Sequence, residues 1–406
     1  MRGHSVFAIV FPALLLASLP GLEAEQFVYK HTPGDAYRIL STVHEDVYVN
    51  RRLALRSEIL NRVAVEVLEA DGGTGRLRAV FQTAERAMRT ERSSGGQSFH
   101  WEREYESEFQ RDERGYIVID RRYYMPVVRN VPVFPDRDLQ AGDTWTAEGH
   151  ETHDFRDSFG VNEPYRIPFT ARYAFVGERE WKGRRYPAFS VSYRIFVDPS
   201  PVAGRLWPQR ILGASDQIVF WDVESGQAAS YTENFRMILE LSDGRTVEYR
   251  GTAEAEILSA SPMDKEEAVQ DINRAIASLG IPDASARIVD GGIAICLENV
   301  QFQSESADLT PPERLKLSKI AELLRRYPDR DILVEGHTAL AGTEEGRARL
   351  SRDRAAAVAD SLIAGGARLP EQVVVRGRGA EQPLGDNNTE EGRRRNRRVE
   401  ITILEN

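Results

Sequence analysis

The stretch EGHTALAGTEEGRARLSRDRAAAV, residues 335–358, decides how the C-terminal part of the chain is read. It has the form of a strand end, a loop of small residues and a helix. Arg354 lies four residues after Leu350 and four before Val358, so at 3.6 residues per turn the three share one face. An arginine on an apolar stripe calls for an anion, because a half-buried guanidinium without a partner is costly. The adjoining loop offers Thr338 and Ala339 but no acid. The other reading of Arg354 is structural, with helix-end carbonyls or a neighbouring acid satisfying it.

Strands and helices alternate on both sides of this stretch. GGIAICLENVQF reads as a strand. TPPERLKLSKIAELLRRYP reads as a helix, with Thr310 as its cap, Pro311 in the first turn, Glu313 completing a capping box, and Leu317, Ile320 and Leu324 as the buried stripe. DILVEG is a second strand. The helix that follows is stopped by Gly365 and Gly366. EQVVVRGRG and RRVEITIL are further strands, giving a β-α-β-α-β unit with helices on one sheet face. Cys296, the chain's one cysteine, cannot form an internal disulfide and is expected to be buried as a small hydrophobe.

The blocks ENVQFQSESADLTP, VEGHTALAG, LSRDRAAAV and VRGRGAEQPLGDNNTEEGRRRNRRVEITI follow one another with the order and spacing of a known family. Over roughly residues 285–405 the chain resembles the OmpA-like C-terminal domain, which binds peptidoglycan in the bacterial periplasm. In that family an aspartate after GHT takes the ammonium of the diaminopimelate in the stem peptide. The arginine of the LSxxRA block takes its carboxylate. The resemblance makes Arg354 and Thr338 candidate peptidoglycan-binding residues and places Ala339 where the aspartate stands. It also places Arg347 where the family usually has asparagine. A charge-assisted hydrogen bond in a partly buried pocket is worth roughly 1.5–3 kcal/mol, so its loss at Ala339 implies weakened or lost binding. Glu335, Glu344, Glu345 and Asp353 are the nearby acids that stand as replacements. Arg398 and Asn396 read as structural, and GRRRNRRVE as the closing turn and edge strand rather than a nucleic-acid patch.

From residue 25 to about 260 the pattern is one of strands and hairpins. NRVAVEVLEADGGTGRLRAVF sets Val63, Val65 and Val67 against Leu77, Ala79 and Phe81 around a DGGTG turn. Hairpin signals recur at GEREWKGRRYPAFSVSYRIFV, FWDVESGQAASYTENF and MILELSDGRTVEYRG. VPVFPDRDLQAGDTW reads as a connection. HETHDFRDSFGVNEP, residues 150–164, reads as an exposed loop dividing the region into lobes at 25–149 and 165–258. Arg and Glu among the apolar positions argue against a membrane barrel, whose strands need an apolar outward face. The expected fold is α+β: a β-rich N-terminal region of antiparallel sheets, as a sandwich or half-barrel, then a linker and helix at 261–284 and the OmpA-like domain at 285–406.

The N-terminus sets the compartment. MRGHS followed by VFAIVFPALLLASL and GLEAEQ reads as a secretory signal over residues 1–24, cleaved after Ala24. Its apolar run is short and broken by Pro12, so no transmembrane segment is expected in the mature chain. No cysteine at the cleavage site offers a lipoprotein anchor. The chain is expected to be exported to the periplasm, at most peripheral to the outer membrane. A formal net charge of -10 argues against general nucleic-acid binding. HETHD lacks the HExxH spacing of a zinc site, and the glycine-bearing loops lack the phosphate-loop pattern, so neither a metal nor a cofactor is expected. Trp101, Trp145, Trp181 and Trp221 read as sheet-core anchors. No catalytic constellation stands out. The expected function is therefore a non-enzymatic envelope protein, partnered by peptidoglycan or by an envelope protein. The alternative is a periplasmic carrier of a lipid or hydrophobic ligand in the N-terminal region.

Overall fold

The protein is described from a computed structural model over residues 24–87, 99–200, 205–259, 263–289, 291–298, 300–302, 308–328 and 330–404. Residues 1–23, all but the last of the signal peptide expected over 1–24, lie outside these.

The N-terminal half is one large antiparallel sheet, nearly barrel-shaped. It begins with β1 (Ala36–Val49), β2 (Arg52–Asp71), β3 (Thr74–Ala87), β4 (Phe99–Arg111), β5 (Ile117–Ile119) and β6 (Val128–Arg129). After β7 (Thr144–His153) and a short helix, α1 (Arg156–Phe159), come β8 (Tyr165–Trp181), β9 (Arg184–Val197), β10 (Pro208–Asp222), β11 (Gln227–Leu241) and β12 (Thr246–Ser259). Consecutive strands from β7 to β12 form a meander, and β12 then pairs along its length with β1, from Tyr37↔Ser259 to Val49↔Val247. The DGGTG hairpin forms with the register its apolar pattern requires: Val63, Val65 and Val67 face Phe81, Ala79 and Leu77.

Side chains alternate across a strand, and here the odd-numbered residues face inward. Ile167, Phe169, Tyr173, Val191, Tyr193, Ile211, Val219 and Leu239 are all buried on that concave face. The connection at 131–145 crosses it, burying Val133, Phe134 and Leu139. Phe27 and Tyr29, ahead of β1, pack against Phe134, Phe189 and Trp221. Of the four tryptophans expected as sheet-core anchors, Trp221 is fully buried and Trp145 stacks on Tyr173 with centroids 5.1 Å apart. Trp181 is partly buried beside Phe220; the side chain of Trp101 lies outside the described set. Residues 150–164 depart from the exposed loop expected of them. Residues 150–153 belong to β7, which pairs directly with β8, and α1 turns Phe155 and Phe159 into the core. The apolar ring at every fourth position is what draws this segment in.

The C-terminal half follows through α2 (Lys265–Ser278), capped by Asp264 on the Glu267 amide and ending before Gly280, whose φ is +58°. Next come β13 (Ala284–Val289), β14 (Gly292–Glu298), α3 (Pro311–Leu324), β15 (Ile332–Gly336), α4 (Glu344–Ala364), β16 (Val373–Gly377), α5 (Glu390–Asn396) and β17 (Arg398–Leu404). The strand order is β13-β14-β17-β15-β16, with only the β15–β16 pair parallel. Leu317, Ile320 and Leu324 are buried as expected, and α2 adds Ile272 and Ile276 to the same core. Cys296 is buried and free, and burial pushes its thiol up to about 11. The capping box expected on α3 is not made. The Thr310 amide donates to the Gln301 carbonyl at 3.3 Å, and Glu313 turns inward to pair with Lys316 at 3.1 Å. Once buried, that carboxylate gains more from an ammonium than from a backbone amide.

Two glycines set the distance between α4 and the sheet. A Cβ on Gly336 would stand 2.0 Å from the Ser351 carbonyl oxygen, and one on Gly377 2.7 Å from that of Ala348.

The two halves share a buried contact. Even-numbered residues of β1 and β2, on the convex face, lie over the helix-free face of the C-terminal sheet. Asp331 Oδ2, just ahead of β15, accepts from Arg38 Nη1 and Arg62 Nε, each at 2.9 Å, and all three side chains are under a tenth exposed. Leu60, Ala84 and Phe99 pack there against Leu333 and Val374, and β4 pairs in parallel with β16 at Val374↔Phe99 and Val375↔His100.

Removing Asp331 leaves two arginines buried with less charge compensation. Asp331→Ala is expected to cost about 3–5 kcal/mol in urea unfolding, whereas Arg38→Met, Arg62→Met and Asp331→Leu together lose much less. Gly336→Ala is expected to cost about 1–3 kcal/mol in the same measurement, because the added methyl must displace helix backbone.

Candidate functional site

The loop after β15, residues 337–343, carries the GHT motif, and hydrogen bonds hold it between the loop after β16 and the start of α4. The Thr338 amide donates to Gly379 O at 2.7 Å, and the His337 amide to Arg398 O at 2.9 Å. Ser351 Oγ accepts from the Gly379 amide at 2.9 Å, joining α4 to the second loop. The Leu340 amide donates to Asn387 Oδ1 at 3.0 Å. Asn396, fully buried, accepts from the Leu384 and Gly385 amides and donates to Gly385 O and Asn387 Oδ1, all within 3.0 Å. Arg398 is buried against Glu400 at 2.6 Å. Asn396 thus ties the loop after β16 to α5, and Arg398 pairs along its own strand.

Thr338 and Ala339 are buried, and the Thr338 hydroxyl has no hydrogen-bond partner among the described residues. Arg347 is partly buried, and its Nη1 donates to the Gly342 carbonyl at 2.6 Å, tying it to the same loop. Thr343 caps α4 through the Gly346 amide at 3.1 Å.

Arg354 sits at the border of the buried face of α4, not on its centre. The buried stripe runs through Ser351, Ala355, Val358 and Leu362, while Leu350 is 38% exposed. The apolar face expected from Leu350 is thus rotated by about one residue, because the close approach at Gly336 selects small side chains. The Arg354 guanidinium lies 4.9 Å from the centroid of the Phe302 ring. Its Nε is buried and has no partner among the described residues. Burial lowers its pKa, and the charge of Arg397 lowers it further. Among the described residues, its environment holds an aromatic face and a second cation. Phe302 was hidden in the sequence because QF reads as the tail of a strand.

Each acid named as a replacement has its own setting. Glu335 accepts from Arg378 Nε at 2.6 Å and lines the cleft on the helix-free face. Glu344 and Glu345 are exposed in the first turn of α4, and Asp353 is exposed on its side. His337 is buried, and burial with the charges of Arg398, Arg378 and Arg287 lowers its pKa to about 3, so it is a neutral neighbour of the site.

A second concavity, of about 580 Å³, lies on the inner face of the N-terminal sheet, between β7, α1 and strands β9–β12. The HETHD residues are divided around it. Three apart on β7, His150 and His153 point to opposite faces: His150 approaches Arg166 at 3.5 Å, and His153 Nε2 meets Glu151 at 2.7 Å inside. Among the described residues no group of three or more His, Cys, Asp or Glu could hold a metal. No helix among them is long and apolar enough to cross a membrane.

Comparison with known proteins bears on the C-terminal half alone. Residues 301–397 match the model of the OmpA family, and the N-terminal half matches no family. Over 105 residues the chain is 39% identical to probable lipoprotein YiaD of Escherichia coli, covering 26% of this chain and 48% of that protein. Over 104 residues it is 36% identical to peptidoglycan-binding protein ArfA of Mycobacterium tuberculosis, covering 26% and 32%. The cell wall anchor of the T6SS from Pseudomonas aeruginosa is 28% identical, covering 33% of this chain and 97% of that one, with a TM-score of 0.30. The chain spans less than half the length of either curated relative. With its blocks in order and its helices and strands in place, the C-terminal part of the chain carries an OmpA family match over residues 301–397.

Proposed function

We propose that the chain is a non-enzymatic cell-envelope protein whose OmpA-family domain engages peptidoglycan weakly. One observation carries this reading: Arg354 is a half-buried guanidinium over the ring of Phe302, and among the described residues the charge that acts on it is that of Arg397 and its Nε has no partner. Such a group gains from an incoming carboxylate, which would supply the missing charge-assisted bond. The carboxylate of a diaminopimelate stem peptide suits it. The ammonium of the same residue would meet the methyl group of Ala339 with Arg347 close by in the chain, and both disfavour it. The Thr338 hydroxyl stands as a further donor or acceptor to the ligand. That a relative is named a peptidoglycan-binding protein supports the ligand class.

The rest of the proposal follows from the sequence. The apolar N-terminal run directs export to the periplasm, and the β-rich region at 25–260 faces an envelope partner from a peripheral position. Cross-strand pairs such as Arg78–Glu66 at 2.6 Å and Arg236–Glu248 at 2.9 Å on the strands favour contact with water over contact with hydrocarbon. A second reading, that the N-terminal sheet carries a lipid or other hydrophobic ligand, is favoured by the apolar-walled cavity on its inner face.

Retention of the mature chain on purified sacculi tests the first reading. Wild type is expected to bind weakly and Arg354→Ala to lose that binding. Ala339→Asp, combined with Arg347→Asn, is expected to gain about ten- to a hundred-fold in affinity. If Arg354→Ala binds as wild type does, the anion seat has no part in recognition.

A further inference from the structure

The cavity in the N-terminal sheet has apolar walls and an acidic floor. Phe155, Phe159, Leu239, Leu241, Val247 and Tyr249 form the walls. Glu151 and Glu233 line the floor. Glu151 is 8% exposed; its Oε1 accepts from the Tyr193 hydroxyl at 2.8 Å, and its Oε2 meets His153. Glu233 takes both its bonds on one oxygen: Oε1 accepts from Ser215 Oγ at 2.6 Å and from Gln217 Nε2 at 3.2 Å. Its Oε2 has no hydrogen-bond partner among the described residues. Burial raises the Glu233 carboxyl above its usual range, and the charge of Glu151 adds to the effect.

The cations of the lining are committed elsewhere. Arg236 Nε donates to Glu248 at 2.9 Å, and Arg245 Nε to Asp243 at 2.6 Å. Glu45, a third carboxylate of the lining, is raised to about 7 by burial and by the charge of Glu85. Acids thus outnumber the one imidazole in a cavity of the size that holds a small organic ligand. A buried carboxylate without a cation is costly, and a cation brought in on an apolar body relieves that cost while covering the walls.

We propose that this cavity binds an amphipathic cation, an ammonium group on an apolar body, with the ammonium held by Glu151 and Glu233. The proposal rests on the carrier reading of the N-terminal sheet and adds to it the sign of the ligand's charge. The apolar body lies along Leu239, Leu241 and Val247, and the ammonium donates to the open oxygen of Glu233. The basic groups nearby are engaged, His153 by Glu151 and the arginines by Glu248 and Asp243.

Titration calorimetry of the full mature chain with n-octylammonium, octan-1-ol and octanoate at neutral pH tests it. Octylammonium is expected to bind at least about tenfold tighter than either of the others, the size of one charge-assisted bond. Glu233→Gln keeps the side-chain shape and is expected to remove that preference while leaving octanol binding unchanged. Glu151→Gln is read in the same way, and the thermal midpoint of each variant establishes that it folds. Met237→Trp, which fills the cavity, is expected to abolish binding of all three. If octanol or octanoate binds as tightly as octylammonium, the charge assignment is overturned and the carrier reading stands. If no probe binds, or if Met237→Trp binds as wild type does, both are overturned.

Discussion

The carboxylate of Asp331 holds two arginines from a strand pair nearly 300 residues earlier in the chain, and the arrangement of the whole molecule turns on it. Taking a carboxylate and two guanidinium groups out of water is expensive, and each arginine recovers part of that cost from the shared carboxylate. Their geometry places the convex face of β1 and β2 over the helix-free face of the C-terminal sheet. The result is a stack in which helices cover one side of that sheet and the N-terminal strands cover the other. Around the ion group, apolar contacts from Leu60, Phe99, Leu333 and Val374 exclude water and strengthen the attraction they enclose.

On the helix side of the same sheet the constraint is space. Gly336 and Gly377 bring α4 so near that Ser351 can bond to the Gly379 amide, and this fixes the loops that bear Thr338 and Ala339. Arg354, one turn further along α4, comes to the border of the packed face. There Phe302 shields its guanidinium from one side, and its Nε has no partner among the described residues. The candidate site is thus a by-product of close packing with one charge left over.

Local signals in the sequence were sufficient for most strands and helices. The DGGTG turn and its flanking valines fix a hairpin because a register error would turn every apolar side chain outward. The blocks from 298 to 403 were legible as a family because their order is specific. Less visible were the features made by distance. Pairing of β1 with β12 joins residues 198 to 222 positions apart, and no local pattern encodes it. Arg38 and Arg62 alternate with apolar residues as solvent-facing charges do, so their burial could not be read from periodicity. The packed face of α4 was misread at Leu350 because hydrophobicity favours leucine. A face pressed against backbone instead favours serine and alanine. Glu313 failed as a capping residue for a related reason: its environment was set by Lys316 and the core, not by the helix end.

The joint between the halves also bears on inheritance. Domains of this kind travel between genes when each is sealed on all sides, so that a new neighbour costs nothing. Here one face of the C-terminal sheet is finished by another part of the chain, and residue 331 is answered at residues 38 and 62. A recombination that swapped either half would strand an ion in the new seam. The two halves of this chain are therefore expected to descend together, changing at these three positions in concert or not at all.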